Sequence, residues 1–144
     1  MSELRMEGIQ VSKARAEQVM RTYLTEVVAN QRFELIPEFA AEDMVDHTQS
    51  IRGPAALHAH ARDFCANLPD LQVEVLEIFA TEDIAVGIWR WTGTPIEPHG
   101  ISRQGKVIKP SLVASMFRFK DDMLVEYRPW VDAVEMLAQI NDAA

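Results

Sequence analysis

The residues best suited to acid/base chemistry lie in the run Asp122-Met-Leu-Val-Glu-Tyr-Arg-Pro-Trp-Val-Asp132 near the C-terminus. Branched and aromatic residues from Leu124 to Val131 read as a strand. Strict alternation then puts Leu124, Glu126, Arg128, Trp130 and Asp132 on one face, as the wall of a pocket with a polar floor. Pro129 cannot donate to a sheet ladder, so a bulge is expected there, with the potential to shift the register by one. Within such a pocket Asp132 would serve as proton carrier, and Trp130 and Phe117 would desolvate it and raise its pKa. Arg128 on the same face would act in the opposite direction. From these residues alone the leading role of Asp132 is to cap the helix that follows, and one carboxylate can do both.

Two histidines compete for the same chemistry. His60 falls on the apolar stripe of a helix, where an aliphatic residue would pack better, so it reads either as a hydrogen-bonded core residue or as a pocket base. His47 lies in a short strand, and alternation alone leaves open whether Asp46 or His47 points inward. His58 and His60 diverge on their helix, and a tight H-x-x-x-H pair is absent, so no metal site is expected. Trp89 and Tyr23 are candidate pocket walls, with ordinary core packing as the alternative reading. Phosphate-cradling glycine loops, nucleophile elbows and dinucleotide fingerprints are missing, and no cofactor is implied.

The elements that must position these residues change period along the chain. Ser12 can cap a helix whose stripe of Ala16, Val19, Met20, Tyr23, Leu24, Val27 and Val28 would be buried, and residues 1–11 read as a loose tail. A short helix follows around Ile36 and Phe39, then a strand over 44–49. Arg52-Gly53-Pro54 opens a third helix carrying Leu57, His60, Ala61, Phe64 and Leu68 on one side. After Leu68 the period becomes alternating, with one hairpin over 71–94, a loop over 95–106 and a second hairpin over 107–131. Residues 133–140 close as a helix. Helices first and antiparallel strands afterwards indicate a single α+β domain over 12–144.

Composition narrows the partners. The 144 residues are 48% hydrophobic and 25% charged, enough to bury a proper core. A formal charge of −8 argues against nucleic acid or an anionic membrane as partner. The lone cysteine, Cys65, rules out an internal disulfide and a thiol-rich zinc site. With no apolar membrane-length run and no apolar segment in MSELRMEGIQ, the cytoplasm is the expected location.

Several segments in order resemble the SnoaL-like polyketide cyclases of the nuclear transport factor two-like superfamily. They are Val27-Val28-Ala-Asn-Gln31, Asp43-Met-Val-Asp-His47, Arg52-Gly-Pro54, Leu68-Pro-Asp-Leu71, the strand end from Trp89 to Thr94, and Arg128-Pro-Trp-Val-Asp132. The resemblance implies a cone, a strongly bent and mainly antiparallel sheet wrapped on the N-terminal helices, and a homodimer packed through the outer sheet face. It also implies an aspartate at the end of the last strand as acid/base for an intramolecular aldol closure, which by motif is Asp132. This chain departs from those cyclases in carrying Ser115 and Val113 where they place His and Gln, and Pro95 where a histidine is frequent. The implied activity is that of a cofactor-independent cyclase, isomerase or lyase acting on a small, apolar or aromatic carbonyl compound. A metal-free hydroxylase and a non-catalytic binding or scaffold domain are the other readings of the same fold.

Overall fold

The computed structural model describes residues 3–96, 112–132, 134–135 and 138–139. Helix α1 (Glu3–Thr22) runs directly into a π-helical turn over Tyr23–Val28. A 3-10 turn (Phe33–Leu35), a one-turn helix α2 (Ile36–Phe39) and strand β1 (Ala40–Asp46) follow. Then come α3 (Pro54–Ala66), β2 (Gln72–Ala80), β3 (Ile84–Thr92), β4 (Val113–Lys120) and β5 (Met123–Val131). Residues 134–135 and 138–139 are helical. The expected loop over 95–106 and the start of the second hairpin lie largely outside the described residues.

The sheet order is β1-β5-β4-β3-β2, with β1 parallel to β5 and every other pair antiparallel. The mainly antiparallel α+β architecture expected from the change of period is therefore the one observed. Residues 3–11 are helical, which corrects the expectation of a loose tail. Leu4, Met6 and Val11 are exposed there, so no buried stripe could mark the segment, while Glu, Leu, Arg and Met all favour helix. Further along α1, Arg15 Nε donates to the carbonyl of Asp122 at 2.7 Å and pins the helix to the β4–β5 turn. Asp121 and Asp122 hold φ of 52° and 63° in that turn, the left-handed pair that a tight hairpin of matching twist requires.

The inner face of the sheet carries Ala85, Trp89 and Trp91 of β3, Val113 and Phe117 of β4, and Leu124 and Tyr127 of β5, all buried. Both tryptophans point toward the helices, as expected by analogy. Gly87 lets α1 approach: a Cβ there would stand 2.8 Å from Leu24 Cδ1 and 2.9 Å from Met20 Sδ. Met20 and Leu24, both buried, thus seat the helix on β3, and Tyr23 lies between them in sequence.

One irregularity decides which residues of β5 face inward. Arg118 pairs with Glu126, but Phe119 pairs with Leu124, so Val125 is an extra residue. The parity of the strand flips at that point. Leu124 and Tyr127 are both inside, and Glu126, Arg128 and Trp130 pair with Arg118, Met116 and Ala114 on the outer face. The predicted pocket wall of Glu126, Arg128 and Trp130 is corrected accordingly; Trp130 is 50% exposed. The bulge lies four residues before Pro129, where it was expected.

Gly53 sets the start of α3. Its φ of 90° and ψ of −177° belong to a region nearly restricted to glycine, and its N–H donates to Met44 O at 2.8 Å. A Cβ at this position would lie 2.6 Å from Glu42 O, which is backbone and cannot step aside. Gly53→Ala is expected to lose at least about 1–3 kcal/mol of stability in urea unfolding. An unchanged midpoint would show that α3 is not held to β1 through this residue.

Candidate functional site

The geometry of the interior begins with the last residue of β1. Asp46 and Tyr127 are register partners across the parallel β1–β5 pair, and both side chains point into the cone. The choice between Asp46 and His47 that the sequence left open is thereby settled: Asp46 is inside. Asp46 and Ser115 are the two polar residues with no exposure among the described residues.

A buried carboxylate needs every lone pair directed at a donor. Asp46 Oδ1 accepts from the backbone N–H of Thr48 at 2.8 Å and from the Thr48 hydroxyl at 2.6 Å, an Asx-turn closed by its own threonine. Asp46 Oδ2 stands 3.0 Å from Nδ1 of His60, which arrives from α3. Burial works to raise the Asp46 pKa, but the hydrogen bonds from His60 and Thr48 together outweigh it and hold the carboxyl below its ordinary value. At neutral pH the group is therefore ionised and only accepts.

That ionisation fixes the imidazole. A carboxylate without a proton requires the proton of this contact to sit on His60 Nδ1, although Thr48 Oγ1 also lies 3.0 Å from that nitrogen. The neutral ring then carries its lone pair on Nε2. No hydrogen bond to Nε2 occurs among the described residues, and the His60 side chain keeps 24% exposure. An oriented, partly open imidazole whose Nε2 has no hydrogen-bond partner among the described residues is the arrangement of a general base held by a carboxylate.

Behind this pair lies a hydrogen-bonded string of aromatic residues. The Tyr127 ring stands edge-on to the His60 ring at 87° with centroids 5.4 Å apart. The Trp89 indole N–H donates to Ser115 Oγ at 3.1 Å, and Ser115 Oγ lies 3.4 Å from the Tyr127 hydroxyl. Tyr23, at the first position of the π-helical turn, packs against Tyr127 with ring centroids 5.8 Å apart and edge-on against Phe117. π-Helical turns recur at functional sites, and this one delivers its phenol to the floor of the site. Burial, with the Asp46 charge adding to it, raises the Tyr23 phenol well above its ordinary value. Burial pushes Tyr127 up to about 12. Both phenols are neutral hydrogen-bonding groups near neutral pH.

Of the sequence candidates, His60, Tyr23, Ser115, Phe117 and Trp89 thus meet in the interior. His47, Arg128 and Trp130 do not join them. His47 Nε2 lies on the outer side, 2.8 Å from Glu126 Oε2 and 3.3 Å from Arg128 Nη2, and Arg118 Nε reaches the other oxygen of Glu126 at 3.0 Å. The hydrogen bonds from His47 and Arg118 hold Glu126 below its ordinary pKa. Asp132 is exposed, shares the outward parity of Trp130, and accepts the backbone N–H of Glu135 on Oδ1 at 3.0 Å, which is a helix cap. Cys65 donates to Val28 O at 3.2 Å, and burial pushes its thiol up to about 11, so it is inert packing. Sequence reasoning passed over Thr48 and Tyr127. The signal for Tyr127 was hidden by the bulge, whereas Asp46-x-Thr48 is a recognisable Asx-turn pattern. Among the described residues no cluster of three His, Cys, Asp or Glu side chains could hold a metal ion. Nor is any helix among them long and apolar enough to cross a membrane.

Residues 18–140 match the family model described as SnoaL-like polyketide cyclase. No curated protein matches the chain. Among solved structures, TsrD from Streptomyces laurentii is 17% identical with a TM-score of 0.76, over 92% of this chain and 98% of that one. A SnoaL-like polyketide cyclase from Agrobacterium tumefaciens is 15% identical with a TM-score of 0.73, over 84% and 94%. An LEH-like epoxide hydrolase from M. tuberculosis is 15% identical with a TM-score of 0.66, over 90% and 91%. At these identities the likeness is one of fold.

The lowered Asp46 pKa has a consequence for stability. A carboxyl whose native pKa lies below its unfolded value of about 3.9 contributes stability that is full above that value. The contribution is lost as pH falls through the lower native pKa. Wild type should therefore exceed Asp46→Asn by on the order of 1–3 kcal/mol near neutral pH, the range for a buried charged hydrogen-bond partner. In urea titrations at a series of pH values the margin should shrink only below about pH 4. A margin independent of pH would contradict an ionised Asp46.

Proposed function

The chain belongs to the SnoaL-like polyketide cyclase family, and from that premise we propose that it is a small-molecule enzyme in which His60 moves a proton alpha to a carbonyl. The observation that carries this reading is the 3.0 Å contact between the fully buried Asp46 carboxylate and Nδ1 of a partly exposed His60. The carboxylate stabilises the imidazolium that forms when Nε2 accepts a proton, and it holds the ring in one tautomer. Asp46 itself is not the base, because its oxygens already accept from Thr48 and His60. Proton transfer through an imidazole replaces the strand-end carboxylate, Asp132, that the resemblance alone would assign.

The aromatic rings around Phe64, one helical turn from His60 on α3, support an apolar or aromatic carbonyl compound as substrate. Phe64 packs edge-on against Trp91 with centroids 5.2 Å apart and against Trp89 at 6.3 Å. Such rings suit a flat, apolar body, with the polar groups of the site confined to its floor. Removal of the α-proton moves its electron pair onto the carbonyl oxygen as an enolate. In a cyclase the enolate carbon then forms a bond to a second carbonyl carbon. His60 returns the proton to the alkoxide so produced. An isomerase or lyase uses the same first step.

Exchange of the α-hydrogens of 2-tetralone in D2O, followed by proton NMR, tests the assignment with a flat aromatic ketone. His60→Gln is expected to slow the catalysed exchange by about 10²–10⁴-fold, the contribution of a positioned base. Asp46→Asn should also fall steeply, because the tautomer is no longer fixed. Asp132→Asn should exchange like wild type, since Asn caps a helix about as well as Asp. Loss of exchange in Asp132→Asn with retention in His60→Gln would reverse the assignment.

We also propose a homodimer through the outer sheet face. Val86 and Ile88 lie there with Met116, and the exposed Phe79 is the register partner of Val86. Trp130, paired with Ala114, extends the apolar surface toward β5. An apolar sheet face of this kind is unusual on a monomer. Light scattering at micromolar concentration should give twice the chain mass, and Ile88→Glu should halve it; a monomer mass for the unmodified protein would refute the dimer.

A further inference from the structure

A closed ring of hydrogen bonds joins Asp46, Thr48 and His60. The Thr48 hydroxyl has one hydrogen, and Asp46 Oδ1, 2.6 Å away, takes it, because an ionised carboxylate only accepts. Toward His60 Nδ1, 3.0 Å away, Thr48 Oγ1 can therefore only accept. The Nδ1–H thus faces two acceptors at once, Thr48 Oγ1 and Asp46 Oδ2, each at 3.0 Å. The Gln49 side-chain amide donates to the remaining lone pair of Thr48 Oγ1 at 3.4 Å. Its hydrogen and both lone pairs are then engaged, so the Thr48 hydroxyl has nothing left to offer a substrate.

The local turn does not need this hydroxyl. The backbone N–H of Thr48 already closes it on Asp46 Oδ1 at 2.8 Å, and Thr48 is an exposed residue, so packing does not demand the group either. What the hydroxyl adds is direction. A single acceptor lets an imidazole swing and tilt about its N–H···O contact. Two acceptors on different residues fix the line of the N–H, and because the ring is rigid they fix the line of the Nε2 lone pair as well. We infer that Thr48 is a positioning residue for His60: its hydroxyl, braced against the Asp46 carboxylate, keeps Nε2 aimed at the proton it removes. When Nε2 takes that proton the ring becomes an imidazolium, and both contacts at Nδ1 become charge-assisted and stronger. The three bonds run in one sense around the ring, N–H to hydroxyl and hydroxyl to carboxylate, with the carboxylate also accepting from N–H, so each polarises the next. This inference rests on the reading of His60 as the base.

The 2-tetralone exchange assay separates this role from that of the base. Thr48→Val keeps the branched shape and removes only the hydroxyl; kcat for exchange should fall by about 10–10²-fold with KM little changed, the size of a hydrogen bond to a charged group. Thr48→Ser keeps a hydroxyl at the same place and should return kcat close to that of the unmodified protein. Exchange lost in His60→Gln but unchanged in Thr48→Val overturns the role of Thr48 and leaves the base in place. A fall in Thr48→Val that is confined to KM, or that is matched in Thr48→Ser, overturns it equally. Exchange that is no faster than buffer with the unmodified protein, or indifferent to His60→Gln, overturns the underlying reading and this inference with it. If Thr48→Val proves unfolded by circular dichroism, Thr48→Ala takes its place, with the same expected loss of kcat and the same outcomes against the role.

Discussion

A carboxylate with no solvent contact must find all of its hydrogen bonds inside the protein, and Asp46 imposes that demand on three elements at once. It closes the turn after β1 through Thr48 and draws α3 in through His60. It lies in register with Tyr127 on β5. Removing one partner of a buried charge leaves the other unsatisfied, so the end of β1, the middle of α3 and the inner face of β5 are mutually constrained. The same contact that holds the elements together selects the tautomer of His60. Packing and chemistry are here consequences of one ionised group.

The surrounding shell is built to keep that geometry dry. Tyr23, Phe117 and Tyr127 contact one another with ring centroids 5.2–5.8 Å apart and interplanar angles between 54° and 68°, arrangements that favour ring edges against ring faces. Gly87 permits the close approach of α1 that puts Tyr23 against Tyr127. Among the described residues no buried side-chain polar atom is left without a partner. Among the described residues, the buried polar side chains Asp46 and Ser115 are thus few and satisfied, and both lie beside Tyr127.

The outer face follows a different logic. His47, Glu126, Arg118 and Arg128 form a mutually paired polar network beside an apolar stretch containing Val86, Ile88 and Trp130. Partly exposed ion pairs of this sort contribute little to the stability of a single chain. Their value lies in satisfying charge along the strands that flank an apolar surface. The histidine that looked equivalent to His60 in the sequence belongs to this second environment.

The order of elements was legible in the chain itself, because periodicity is a local property. The stripe from Ala16 to Val28, the Gly53-Pro54 opening of α3 and the change of period after Leu68 each reflect burial repeated at a regular spacing. His60 could be singled out for the same reason, as a polar residue on an apolar stripe. What alternation could not supply was parity across an irregularity. The extra residue at Val125 reverses every side chain after it, turning Tyr127 inward and carrying Glu126, Arg128, Trp130 and Asp132 away from the wall they were expected to form. The choice of Asp46 over His47 likewise awaited the parallel pairing of β1 with β5, whose register partners lie more than eighty positions apart. Periodicity within a segment is written in neighbouring residues, whereas register between segments is a long-range agreement among hydrogen bonds, and only the folded chain enforces it.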